Sequence, residues 1–123
     1  MITKEYFTRV DGSDELACRC GCGSSVHGEF RETLNDARAI AGVPFKITSG
    51  MRCLEHNTKI GSKETSSHVK GIAADIAYAD ELHLTRIVHA LSRVGFTRIG
   101  VNKQKKFIHV DFDGTKPNVV FGY

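Results

Sequence analysis

Two short segments constrain this chain more than anything else in it: Ser67-His68-Val69-Lys70-Gly71-Ile72-Ala73-Ala74-Asp75 and Phe107-Ile108-His109-Val110-Asp111. Both end in strand-like patterns, and side chains on a strand alternate between its faces. Phe107, His109 and Asp111 therefore share one face, while Ile108, Val110 and Phe112 share the other. By the same alternation Asp75 stands with Ala73 and Ala77, which are too small to crowd it, and Ala74 and Ile76 turn inward. Neighbouring strands lie about 4.8 Å apart, so Asp75 and His109 reach a common point if these two strands pair. His68 joins them from the preceding loop, because Gly71 lets the backbone turn sharply without a side chain in the way. Catalytic zinc takes three nitrogen or oxygen ligands and leaves a fourth position open. His68, Asp75 and His109 are thus candidate ligands of one catalytic zinc ion. The remaining histidines, His27, His56, His83 and His89, read as surface or helix residues.

The rest of the chain supplies the frame. Val26, Phe30, Leu34, Ala37 and Ala41 recur at helical spacing, with Ser24 or Ser25 as a cap and Gly42 and Pro44 as a stop. Phe45-Lys46-Ile47-Thr48 alternates as a strand and runs into Ser49-Gly50-Met51-Arg52. From Cys53 to Lys70 the chain is polar with little periodicity. A loop of that length in a compact domain is usually functional or disordered, and its arrival at His68 favours function. Ala73 to Ala77 forms a short buried strand. Asp80 caps a second helix, with Leu84, Ile87, Val88 and Leu91 inward and Gly95 at its end. Thr97-Arg98-Ile99-Gly100-Val101 pairs with the Phe107 to Phe112 run as a hairpin. Lys103-Gln104-Lys105-Lys106 is its solvated tip, and residues 117–123 form a loop or short edge strand.

At 123 residues, with 41% hydrophobic and 25% charged residues, the chain reads as one globular domain. It divides into an irregular cysteine-containing segment (1–24), a core (25–113) and a tail (114–123). A net charge of +3 is too small for a nucleic-acid footprint. No apolar run spans a bilayer, and Met1-Ile2-Thr3-Lys4-Glu5-Tyr6 lacks the apolar region of a signal peptide. The expectations are therefore no nucleic-acid partner, no membrane partner, a monomer, and synthesis in the cytoplasm.

Three of the four cysteines fall in Cys18-Arg19-Cys20-Gly21-Cys22, and the fourth is Cys53. Two disulfides, free thiols and a structural zinc are all open readings. The one-residue gaps are tighter than those of ordinary zinc ribbons.

Ser49-Gly50-Met51-Arg52, Asn57, Ser67-His68 through Asp75, and Ile108-His109-Val110-Asp111 together resemble the zinc D-Ala-D-Ala carboxypeptidase family, whose fold is shared with hedgehog signalling domains. The resemblance spans roughly residues 14 to 113. With the cysteine-rich entry and Arg52-Cys53, it looks like the small phage-borne and bacterial branch. It implies an α+β fold, a small antiparallel sheet with two main helices, and zinc on His68, Asp75 and His109. It also implies a peptidoglycan stem peptide as substrate, cut by a carboxypeptidase or a phage-type endopeptidase, with action at the cell wall or periplasm. Arg52 would be catalytic and substrate-binding through its guanidinium, and Ser67 substrate-binding.

The chain departs from the family at the general base. Relatives carry an acidic residue three positions before the last zinc histidine, or a histidine two before it; here these are Lys106 and Phe107. Asp111 is the leading substitute, as base or as orienter of a ligand, ahead of Asp113, Glu64 and His56. The rival reading is a catalytically impaired, zinc-stabilised module that binds cell wall or protein.

Overall fold

The computed structural model describes residues 6–7, 14–63 and 66–123. Residues 14–24 contain turns but no helix or strand. The elements are α1 (Gly28–Ala41), β1 (Lys46–Ser49), α2 (Leu54–Lys59), β2 (Ala73–Ala77), α3 (Glu81–Arg93), β3 (Arg98–Asn102), β4 (Phe107–Asp111) and β5 (Val120–Gly122). The architecture is α+β, with one five-stranded sheet in the order β1-β2-β4-β3-β5.

Helices α1 and α3 pack on each other. Phe30, Leu34, Ala37 and Ala41 of α1 and Ile87 and Leu91 of α3 reach the core as their spacing predicts, Ala90 joins them, and the expected Leu84 and Val88 are only partly buried. Asp80 Oδ1 accepts from His83 N at 2.8 Å at the start of α3, the expected cap. At α1 the expected serine cap is replaced. His27 occupies the cap position with no side-chain bond, because Ser25 Oγ instead donates to Asp14 Oδ2 at 2.6 Å beside the Arg31–Asp14 ion pair. That trio ties the N-terminal segment to α1.

One sheet face presents Ile47, Ala74, Ile76, Ile99, Ile108 and Val110 to the core. Each fully buried isoleucine or valine contributes about 1.5–3 kcal/mol, which fixes the strand register, since a one-residue slip would turn the whole set outward. The opposite face carries polar residues. There, pairing places Ser49 across from Asp75, Asp75 across from His109, His109 across from Gly100, and Gly100 across from Phe121. One row thus crosses all five strands.

The sheet is mixed rather than wholly antiparallel: residues 117–123 supply β5, which runs parallel to β3. The stretch after Cys53 also holds a short helix, α2, that its polarity concealed. Its buried residue is Asn57, whose Nδ2 donates to Lys63 O at 2.9 Å. No helix among the described residues is long and apolar enough to cross a membrane.

Candidate metal centre and cleft

Asp75 and His109 meet because they are directly paired on β2 and β4. His68 arrives through a turn that Gly71 completes at φ 73°, in the left-handed region that glycine enters without steric cost. Asp75 Oδ1 lies 3.0 Å from His109 Nδ1 and 3.3 Å from His68 Nε2. The three ligand atoms all fall within 4.8 Å of one another.

The outer nitrogen of each histidine is also held. His68 Nδ1 sits 2.7 Å from Gly50 O; a carbonyl only accepts, so Nδ1 carries the proton and Nε2 faces Asp75 with its lone pair. His109 Nε2 donates to Asp111 Oδ2 at 2.6 Å, which leaves Nδ1 for the centre. Metal-bound histidines are characteristically anchored to a carbonyl or carboxylate in this way. The donor set and its supports therefore fit zinc.

Electrostatics agree with that geometry. Burial works to raise the Asp75 pKa, yet the His109 and His68 rings, when protonated, donate to it and outweigh burial, holding the carboxyl at about 2. Burial works to lower His109, and the bonds to Asp111 and Asp75 overcome it and raise its pKa. Asp75 is thus a carboxylate at neutral pH, ready to ligate.

These groups open into a cleft of about 250 Å³ edged by Arg52, Arg98, Lys116, Phe121 and Tyr123. Arg52 lies in the connection between β1 and α2; its N donates to His68 O at 3.1 Å and its Nη2 to Ser66 Oγ at 3.1 Å. Burial lowers its pKa. Its Nε is buried with no acceptor among the described residues, while the side chain as a whole edges the cleft.

Ser67 lines the cleft and Asp111 lies behind His109, and the polar atoms of both are taken by neighbours. Ser67 is 2% exposed, and its hydroxyl donates to Asp113 Oδ2 at 2.8 Å and accepts from Lys116 Nζ at 3.1 Å. Asp111 is 1% exposed, and its oxygens are spent on His109, on Arg98 Nε at 3.1 Å and on Asp113 N at 2.9 Å. Asp113 lies in a buried cluster with Ser67, Lys70 and Thr115, and His56 stands beside Cys53 away from the cleft. Glu64 lies outside the described residues.

Sequence reasoning missed Arg98, Phe121 and Tyr123. Arg98 was within reach, because continuing the hairpin pairing sets it opposite Asp111. Phe121 was not. Its ring reaches the site only because Gly100 lacks a Cβ, which would stand 2.5 Å from the ring; the Phe121 and His109 rings then lie 6.3 Å apart.

A search of curated proteins finds no match. The family comparison does: residues 10–111 match the family described as Peptidase M15. That match covers most of the chain, including both segments that build the centre, and the chain belongs to the peptidase M15 family, whose members are zinc-dependent peptidases.

Proposed function

We propose that the protein is a zinc-dependent hydrolase of peptidoglycan stem peptides, acting as a D-Ala-D-Ala carboxypeptidase or as a phage-type endopeptidase. The observation that carries this reading is the convergence of His68, Asp75 and His109 at the floor of a cleft edged by Arg52, Arg98 and Lys116. A cation-edged cleft suits a short peptide that carries carboxylates. Bound zinc would supply a Lewis acid that activates water and polarises an amide carbonyl.

The chain's own residues do the rest. Gly50 O and Asp111 hold the two imidazoles in their ligating tautomers. Arg52 offers guanidinium donors to the oxygen on which negative charge develops, or to the substrate's terminal carboxylate. Asp111 acts by orienting His109; with both oxygens spent and the side chain buried, it has no free face for proton transfer.

One observation favours the second reading, a zinc-stabilised binding module. Asp75 is the single carboxylate among the described residues that line the cleft. Lys106, at the position where relatives carry an acid, is an exposed turn residue with φ 55°. Digestion of purified peptidoglycan with and without chelator, read by mass spectrometry, decides between them. A chelator-sensitive product supports the hydrolase, and its mass identifies the bond. Stoichiometric zinc with no product on several wall types overturns the hydrolase in favour of the binding module.

A further inference from the structure

Some distance along the chain from the His68 centre, Cys18, Cys20, Cys22 and Cys53 bring their four Sγ atoms within 4.8 Å of one another. All four are free thiols. We propose that they form a second, structural metal centre, a closed four-thiolate zinc site that clamps the N-terminal segment to the start of α2.

The distances match the ion. Zinc–sulfur bonds of about 2.3 Å set the sulfurs of a tetrahedral site roughly 3.8 Å apart. Here Cys18 and Cys53 are 3.8 Å apart, Cys20 and Cys53 3.6 Å, and Cys18 and Cys20 3.3 Å. Four soft thiolates with no oxygen donor select zinc over magnesium or calcium.

The local backbone explains how one-residue gaps, unlike those of zinc ribbons, still serve. In an extended strand Cys18 and Cys22 would stand about 13 Å apart. Instead Cys18 N donates to Ser24 O at 2.8 Å and Gly21 N to Cys18 O at 3.2 Å, closing a tight loop. Gly21 and Gly23 take φ values of 82° and 89°, a conformation that side chains at those positions would oppose. The loop gathers three sulfurs on one side, and Cys53 meets them from the N-cap of α2.

Backbone amides already face the sulfurs. Cys53 N donates to Cys18 Sγ at 3.4 Å, and His56 N to Cys53 Sγ at 3.4 Å. Such bonds support thiolate charge, as the partners of metal ligands generally do. Cys53 follows Arg52 directly, so a metal on Cys53 would also hold Arg52 at the cleft.

The test counts and types the metal in protein purified under reducing, oxygen-free conditions. Wild type is expected to hold about two equivalents of zinc. A His68→Ala/His109→Ala variant, which leaves the cysteines untouched, should keep one, and its cobalt-substituted form should show thiolate-to-cobalt charge-transfer absorption. Cys20→Ser with Cys22→Ser should lose one equivalent and that absorption. The four thiols should alkylate only after chelation. A histidine variant free of zinc, a mass showing disulfides, or iron in place of zinc would overturn the proposal.

Discussion

Asp111 sits behind His109, with Oδ2 2.6 Å from Nε2, and the same oxygen takes the Arg98 guanidinium at 3.1 Å. This arrangement fixes the imidazole tautomer, and it makes the role of Asp111 measurable. Asp111→Asn should weaken zinc binding about 10–100-fold, the usual cost of removing a carboxylate behind a metal-bound histidine. Chelator competition reads that loss. If orientation is the role, saturating zinc restores most of the turnover. A proton-transfer role predicts that turnover stays lost at full zinc occupancy.

The centre was legible in the sequence because strand alternation and residue order act locally: His109 and Asp75 had to share faces with Phe107 and Ala73, and their direct pairing follows from both facing one point. Helix α2 was not legible. Six residues with Leu54 exposed and Asn57 as the buried one carry no apolar period. Strand β5 was legible only as a loop or short edge strand, and its parallel pairing with β3 was hidden for a different reason. Its three residues are held by the fit of Phe121 over Gly100, a tertiary contact with no sequence signal. Asp113 was undervalued because its partners Ser67 and Lys70 lie far away along the chain and declare no pairing with it.

Gly50 links the cysteine segment to the His68 centre. Its carbonyl holds His68 Nδ1, and a Cβ at this position would run into the backbone of Leu16, whose carbonyl accepts from Met51 N at 2.8 Å. Backbone cannot swing aside as a side chain can. Gly50→Ala should therefore cost about 1–3 kcal/mol of stability, the range for overpacking, and weaken zinc binding as well. Denaturant unfolding and chelator competition check the two effects. Gly114→Ala, where a Cβ meets nothing within 4 Å, is the control expected to change neither.

Asp113 predicts an acid limit to stability. It is buried, and although burial works to raise its pKa, bonds from Thr115, Lys70 and Ser67 dominate and hold it well below the ordinary carboxylate range. A depressed folded pKa contributes stability above the unfolded value of about 3.9 and loses it as pH falls through the folded value. Asp113→Asn should thus cost about 1–3 kcal/mol at pH 7. The gap between wild type and variant should stay level down to about pH 5 and narrow below about pH 4. Urea unfolding across pH 3 to 7 measures it, and a gap independent of pH would refute the assignment.

Arg52 offers the sharpest division between hydrolysis and mere binding, because it borders the centre without ligating it. Its Nη2 is fixed by Ser66 and its buried Nε has no acceptor among the described residues, so the guanidinium is oriented before a substrate arrives. A donor organised in advance stabilises charge that appears in the transition state, and removing one typically lowers kcat about 10²–10³-fold. Arg52→Ala should show that loss with zinc content unchanged and KM little altered, since a contact strengthened only in the transition state leaves ground-state binding largely intact. Arg52→Lys should recover little, because an ammonium on a flexible stem cannot reproduce the fixed planar donor geometry of the guanidinium. Steady-state kinetics beside metal analysis tests this: a variant with zinc retained and kcat/KM unchanged would remove Arg52 from the reaction.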